Sequence, residues 1–183
     1  SSGIGAVLSR LDNIAAAAAS GEYVEYTYRG ANTFSQVTYS GCSGAGGDPT
    51  LSLTFDRFGR ITDNDWQLGY SFDNYGYGYD SMGNRQWKEC GQDEYYTYDG
   101  LNRLTNMDRG DLNGGKTAID GTPGKEQDFT LDQLGNWSAY VKKTSGNTDL
   151  NQSRDHNDVN EIDTNNVDTD GPGASITAST GTN

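Results

Sequence analysis

The feature that most constrains this chain is a short unit that it writes several times. Tyr96-Thr97-Tyr98-Asp99-Gly100-Leu101-Asn102-Arg103-Leu104 sets two tyrosines on alternate positions, then a turn, then an extended run. Alternation places both rings on one face of a strand. Asp bonds the backbone two residues ahead, and Gly and Asn tolerate positive φ. The unit therefore predicts strand, tight turn, strand. Leu53-Thr54-Phe55-Asp56-Arg57-Phe58-Gly59-Arg60-Ile61 repeats it, as does Gly76-Tyr77-Gly78-Tyr79-Asp80-Ser81-Met82-Gly83-Asn84-Arg85. Phe129-Thr130-Leu131-Asp132-Gln133-Leu134-Gly135-Asn136-Trp137 is a further copy, with Leu131 in the place of the second aromatic. Tyr70-Ser71-Phe72-Asp73-Asn74-Tyr75-Gly76 reads as a half copy, and His156-Asn157-Asp158-Val159-Asn160-Glu161-Ile162 as a degenerate one. The consensus is aromatic, Asp, two free positions, Gly or Asn, Arg or Asn, then an apolar residue.

These pieces resemble the YD-repeat, or Rhs-repeat, family, on Phe55-Asp56…Gly59-Arg60, Tyr79-Asp80…Gly83-Asn84-Arg85, Tyr98-Asp99…Asn102-Arg103-Leu104 and Leu131-Asp132…Gly135-Asn136-Trp137. The resemblance runs from about Tyr23 to Ile162. Tyr-Asp alone is a common dipeptide; its recurrence in one polar chain signals a repeat architecture. Three runs look most like the very large bacterial surface members of the sort found in planctomycetes: Asp56 to Arg60, Leu134 to Trp137 and Asn157 to Ile162. The resemblance implies an all-β fold of consecutive antiparallel hairpins joined in a continuous strip or spiral. It also implies a structural, non-enzymatic role in a secreted or cell-surface bacterial protein. Carbohydrate binding is another role that the resemblance brings. A third is the shell of a toxin-delivery protein, but the Asp-Pro-rich junction that marks such proteins is absent. The only Asp-Pro is Asp48-Pro49, in a loop near the wrong end.

Composition agrees with thin sheet. Hydrophobic residues make up 32%, against roughly 45–50% in ordinary globular chains. Leu, Ile, Val and Phe are scarce, whereas Tyr numbers 12 and Gly 25. Such a chain builds no thick aliphatic core, but aromatic rings bury a large area each. A lone hairpin is marginal and gains stability from neighbours. The net charge is −13. Neutralising phosphates needs a basic patch, so nucleic acid is excluded, as is an anionic membrane surface. No apolar run is long enough to span a bilayer.

Three regions follow: a lead-in over 1–22, the hairpin region over 23–162, and an acidic polar tail over 163–183. Within the lead-in, the alanine run at 15–19 permits a short helix, while the repeat comparison favours strand and loop; a run of placeholder alanines is a third reading. Strands are expected at 23–28, 34–39, 51–55, 60–65, 68–72, 77–79, 85–89, 94–98, 103–109, 128–131 and 136–143. Residues 111–127 and 146–155 read as polar loops. The open edges of so short a strip recruit more strands. Further repeats of the same chain, or other copies of it in an oligomer or filament, are the expected partners.

Candidate chemistry is sparse. Asp56, Asp73, Asp80, Asp99 and Asp132 offer carboxylates for acid–base work or cation binding. Their fixed place before each turn favours capping. Gly59, Gly83, Asn102 and Gly135 supply the bend, and Arg60, Arg85 and Arg103 pair with the carboxylates or stack on tyrosines. His156 is the sole histidine and makes neither a triad nor a metal cluster. Asn166, Asp168 and Asp170 match the first half of a calcium loop, but the twelfth position is Thr177 rather than Glu. No other cofactor is indicated. Cys42 and Cys90 are either a disulfide or two free thiols. Trp66, Trp87, Trp137 and the tyrosines serve as sheet-filling rings or, on the binding alternative, as sugar-stacking platforms.

Overall fold

The computed structural model describes residue 11 and residues 13–15, 22–41, 47–156 and 168–170. The protein is all-β: the described residues form antiparallel strands and contain no helix. The strands are β1 (Asn13–Ala15), β2 (Glu22–Arg29), β3 (Thr33–Thr38), β4 (Thr50–Phe55), β5 (Ile61–Gln67) and β6 (Ser71–Tyr79). They continue with β7 (Arg85–Glu89), β8 (Asp93–Tyr98), β9 (Leu104–Gly110), β10 (Lys125–Leu131), β11 (Trp137–Thr144), β12 (Asn147–Ser153) and β13 (Asp168–Asp170).

The chain divides into two compact units, residues 1–77 and 78–183, and the division falls inside β6. Within each unit every strand lies beside its neighbours in sequence. The expected consecutive hairpins are therefore present. In the first unit, Tyr26 faces Val37 across β2 and β3, and Leu51 faces Trp66 across β4 and β5. In the second, Tyr96 faces Met107 across β8 and β9, and Phe129 faces Tyr140 across β10 and β11.

Burial is shallow. Among the described residues only Val37, Met107 and Ile119 are buried apolar side chains, and no large side chain is fully buried. Rings pair across strands instead. Tyr39 stacks on Trp66 at 6.2 Å in the first unit. Phe129, Trp137 and Tyr140 cluster with centroids 5.0 to 5.5 Å apart in the second. The expected aromatic facing exists, but it is half-exposed rather than sealed.

Three expectations need correction. The half copy at 70–76 contains no turn. The chain turns earlier, where the Leu68 N–H donates to the Tyr70 carbonyl at 2.9 Å around Gly69 at φ 73°. The chain then runs straight through β6, with Asp73 opposite Trp66. Residues 146–155 do not form a loop but supply β12, paired with β11. Ser145 and Gly146 both adopt positive φ, the geometry of a tight two-residue hairpin. Finally, 111–124 is a folded flap rather than a plain surface loop. Leu112 bridges Ile119, and buried Ile119 packs where Gly110 leaves room.

At the start of the chain, Asn13–Ala15 pairs with β2, and the Tyr28 hydroxyl donates to the Leu11 carbonyl. The rest of the lead-in, with most of the alanine run, lies outside the described residues, as does the degenerate copy after His156.

Candidate functional site

The aspartates occupy one backbone site repeated four times. In the turns at Asp56, Asp80, Asp99 and Asp132, the Asp N–H donates to the carbonyl four residues on, at 2.9 to 3.0 Å. The N–H three residues on returns to the Asp carbonyl at 3.0 to 3.2 Å. Asp Oδ1 accepts the N–H two residues on at 2.8 to 2.9 Å. It also accepts the N–H four residues on at 2.8 to 2.9 Å. This closure demands a left-handed residue at the fourth position. Gly59, Gly83, Asn102 and Gly135 stand there, at φ 81°, 94°, 62° and 94°, where residues with a branched Cβ are strained.

The second carboxylate oxygen is used too. Oδ2 accepts Arg60 Nε in the first turn and Arg103 Nε in the third, each at 2.6 Å. In the other two turns it accepts Asn84 Nδ2 at 2.9 Å and Asn136 Nδ2 at 3.0 Å. This corrects the slot given to Arg85. Asn84 is the residue equivalent to Arg60 and Arg103, and Arg85 begins β7 one position later.

All four carboxyls sit below the ordinary aspartate range. For Asp56 and Asp80, desolvation within the turn pushes upward, but the donated hydrogen bonds outweigh it. For Asp99 the Arg103 N–H leads, and for Asp132 the Asn136 side chain leads. Such groups stay ionised near neutral pH, each carboxylate accepting three hydrogen bonds of the roughly four it can take. They make poor general acids or bases, because a useful catalytic carboxyl has a pKa raised toward neutrality.

The structure joins neighbouring turns of the second unit without merging their carboxylates. Asn84 Nδ2 also donates to Asn102 Oδ1 at 2.9 Å, and Arg103 Nη1 donates to the Asp132 carbonyl at 2.7 Å. In the second unit Asp80 and Asp99 border one shared hollow while each carboxylate stays within its own turn.

Sequence reasoning missed three features. The first is a bulge just after the turns at Asp56, Asp99 and Asp132. Phe55 faces Ile61 while Thr54 faces Asp63, so Thr62 is an extra residue, and Thr105 and Ser138 repeat it. Their hydroxyls reach back eight positions. Thr62 meets Thr54 at 3.0 Å, Thr105 meets Thr97 at 3.1 Å, and Ser138 donates to the Thr130 carbonyl at 3.2 Å. Ser35 does the same to the Thr27 carbonyl at 3.3 Å, in a hairpin that lacks the aspartate. A Thr followed eight positions later by Thr or Ser was the available signal.

The second is an ion cluster around the buried Glu94, whose cationic partners are partly exposed. Glu94 is flanked across the ladder by Lys88 and Arg109, and it accepts Arg109 Nη2 at 2.5 Å and the Tyr96 hydroxyl. Burial raises the Glu94 pKa, but Tyr96, Arg109 and Lys88 together bring it below its usual value. Desolvation, then Glu94 itself, push Tyr96 well above the normal phenol range. The third is a close approach. A Cβ on Gly78 would stand 1.9 Å from Trp87 Nε1, so the Trp87 ring lies directly over that backbone.

The remaining candidates fall elsewhere. Cys90 carries a free thiol that donates to the Gln92 carbonyl at 2.9 Å. Cys42, the other half of the expected pairing, lies outside the described residues. Asp168 and Asp170 lie in extended β13, opposite Ser153 and Asn151, and Asn166 lies outside the described residues. Among the described residues no group of three or more His, Cys, Asp or Glu side chains could hold a metal ion. No protein-family model matches the chain, and no curated protein matches it with significance.

Proposed function

We propose that this chain is a structural scaffold, a non-enzymatic run of YD/Rhs-like hairpins belonging to a secreted or surface bacterial protein. It extends through further repeats or through copies of itself, into a shell or an extracellular filament. The observation that carries this reading is the fourfold reuse of one turn in which every carboxylate oxygen is engaged. A repeated site with no spare chemistry serves architecture. Electron microscopy of the purified protein tests it. Fibres or closed hollow particles are expected, and dispersed monomers at every concentration would refute assembly by this chain alone.

A second reading is favoured by one specific observation. Trp137 is exposed; it stacks on Tyr140 and tilts against Phe129 beside a hollow also lined by Leu104 and Leu131. Exposed stacked rings suit a sugar face, and a glycan array with Trp137→Ala as control tests that role.

A further inference from the structure

The residue two positions after each turn aspartate is large, apolar and exposed. Phe58, Met82, Leu101 and Leu134 are 67%, 70%, 69% and 76% exposed. A single exposed apolar residue needs no explanation, but one recurring at the same place in every turn does. The aspartate clamp explains the protrusion: the N–H of this residue is held by Asp Oδ1, which fixes it at the tip. Nothing in the clamp requires the side chain to be apolar.

In the second unit the three tips stand in a row. Their turns join β6 to β7, β8 to β9, and β10 to β11, so all lie at one end of the strands. Two strand spacings separate each from the next, roughly 10 Å. Beside Met82 is a hollow of about 350 Å³ that Asp80, Asp99 and Asn102 border at the turns and that reaches Gln86, Tyr96 and Tyr98. Beside the Leu134 turn is another of about 270 Å³, lined by Leu104, Phe129 and Trp137. Among the described residues, charge at this end is nearly balanced. Asp80, Asp99, Asp132 and Asp155 stand against Arg85, Arg103 and Arg154, the last over the Trp137 ring, in a chain of net charge −13.

We infer that this row docks against the same row of a second copy, tips entering hollows. The inference deepens the scaffold reading and rests on its self-association. Knobs and hollows on one surface make it self-complementary about a two-fold axis. A like row carries the matching spacing by construction. The near-neutral end avoids the repulsion that two chains this acidic meet elsewhere. Three tips make a strip only about 20 Å long, too small a surface to reach the roughly 800 Å² per partner of a stable dimer. The contact is therefore weak alone and strengthens with the number of aligned turns.

Sedimentation velocity of the full chain over a concentration series tests this. The wild type is expected to gain mass with concentration. The triple variant Met82→Ser, Leu101→Ser, Leu134→Ser is expected to associate at least about tenfold more weakly, with an unchanged circular dichroism spectrum. Leu101→Lys alone is expected to act in the same direction. In a background with both cysteines changed to serine, a nitroxide on Ser81→Cys should report a second label nearby. Association that survives the tip substitutions but is lost in the β1 variant Ile14→Pro would overturn the inference and leave the scaffold reading standing. A chain monomeric throughout would overturn it as well.

Discussion

At the scale of single residues, the turn aspartate is the unit of construction. Its replacement by Ala at 56, 80, 99 or 132 frees two N–H groups and a basic or amide partner. Thermal melts are expected to fall by a few degrees for each, whereas Asp73→Ala, within exposed β6, should change little. The same clamps set the acid response. Their folded pKa values are depressed. The stability they give is therefore complete above the unfolded aspartate pKa of about 4. It is lost as pH falls through the lower folded value. Melts between neutral pH and pH 2 should show that loss, and a variant without the four aspartates should show less of it. Gly78→Ala would force Trp87 off its strand at a cost of about 1–3 kcal/mol, readable as a shifted Trp emission and a lower unfolding midpoint.

The turn was legible at this scale because its chemistry is local: Asp, a left-handed position and a donor four residues on lie within five consecutive positions. The slot of Arg85 was not. Asn84 and Arg85 are adjacent donors, and only the hydrogen-bond geometry distinguishes them. Glu94 was not legible either, since its two cationic partners, Lys88 and Arg109, come from other strands.

At the scale of strands, pairing overrode propensity. Asn147–Ser153 is rich in Asn and Asp, which strands disfavour, yet it forms β12 because Ser145-Gly146 returns it against β11. The same happened in β6. Asp73-Asn74 reads as a turn, but Asn74 Nδ2 donates to Asp63 Oδ1 at 3.1 Å across the ladder and holds the strand extended. Cross-strand charge is the other stabiliser of the ladder. Replacing Glu94 by Ala would remove the carboxylate between Lys88 on β7 and Arg109 on β9 and is expected to cost about 2 kcal/mol. Chemical denaturation checks this, and Lys88→Met in the same background should restore part of the loss.

At the scale of the whole molecule, each unit is a sequence of local pairings, and the hairpin fold was legible because no distant segment had to be found. Positions of apolar residues were less informative. With so few buried side chains, the alternation that normally separates core from surface is faint, and Ile119 could not be told from its polar surroundings. Its burial depends on the space left by Gly110, a neighbour in the fold rather than in the local run.

In the second unit the connections at the two strand ends obey different rules. The aspartate end keeps one fixed turn, whereas the other end passes from a short bend at 90–92 to the long flap at 111–124 and back to Ser145-Gly146. Grafted sequence, such as an epitope placed between Gly114 and Gly115, should therefore be accommodated at the variable rim, with the melting curve nearly unchanged. One extra residue inside an aspartate turn would reverse which side every following side chain faces. The second unit thus has one rim that keeps time and another that is free to carry a message.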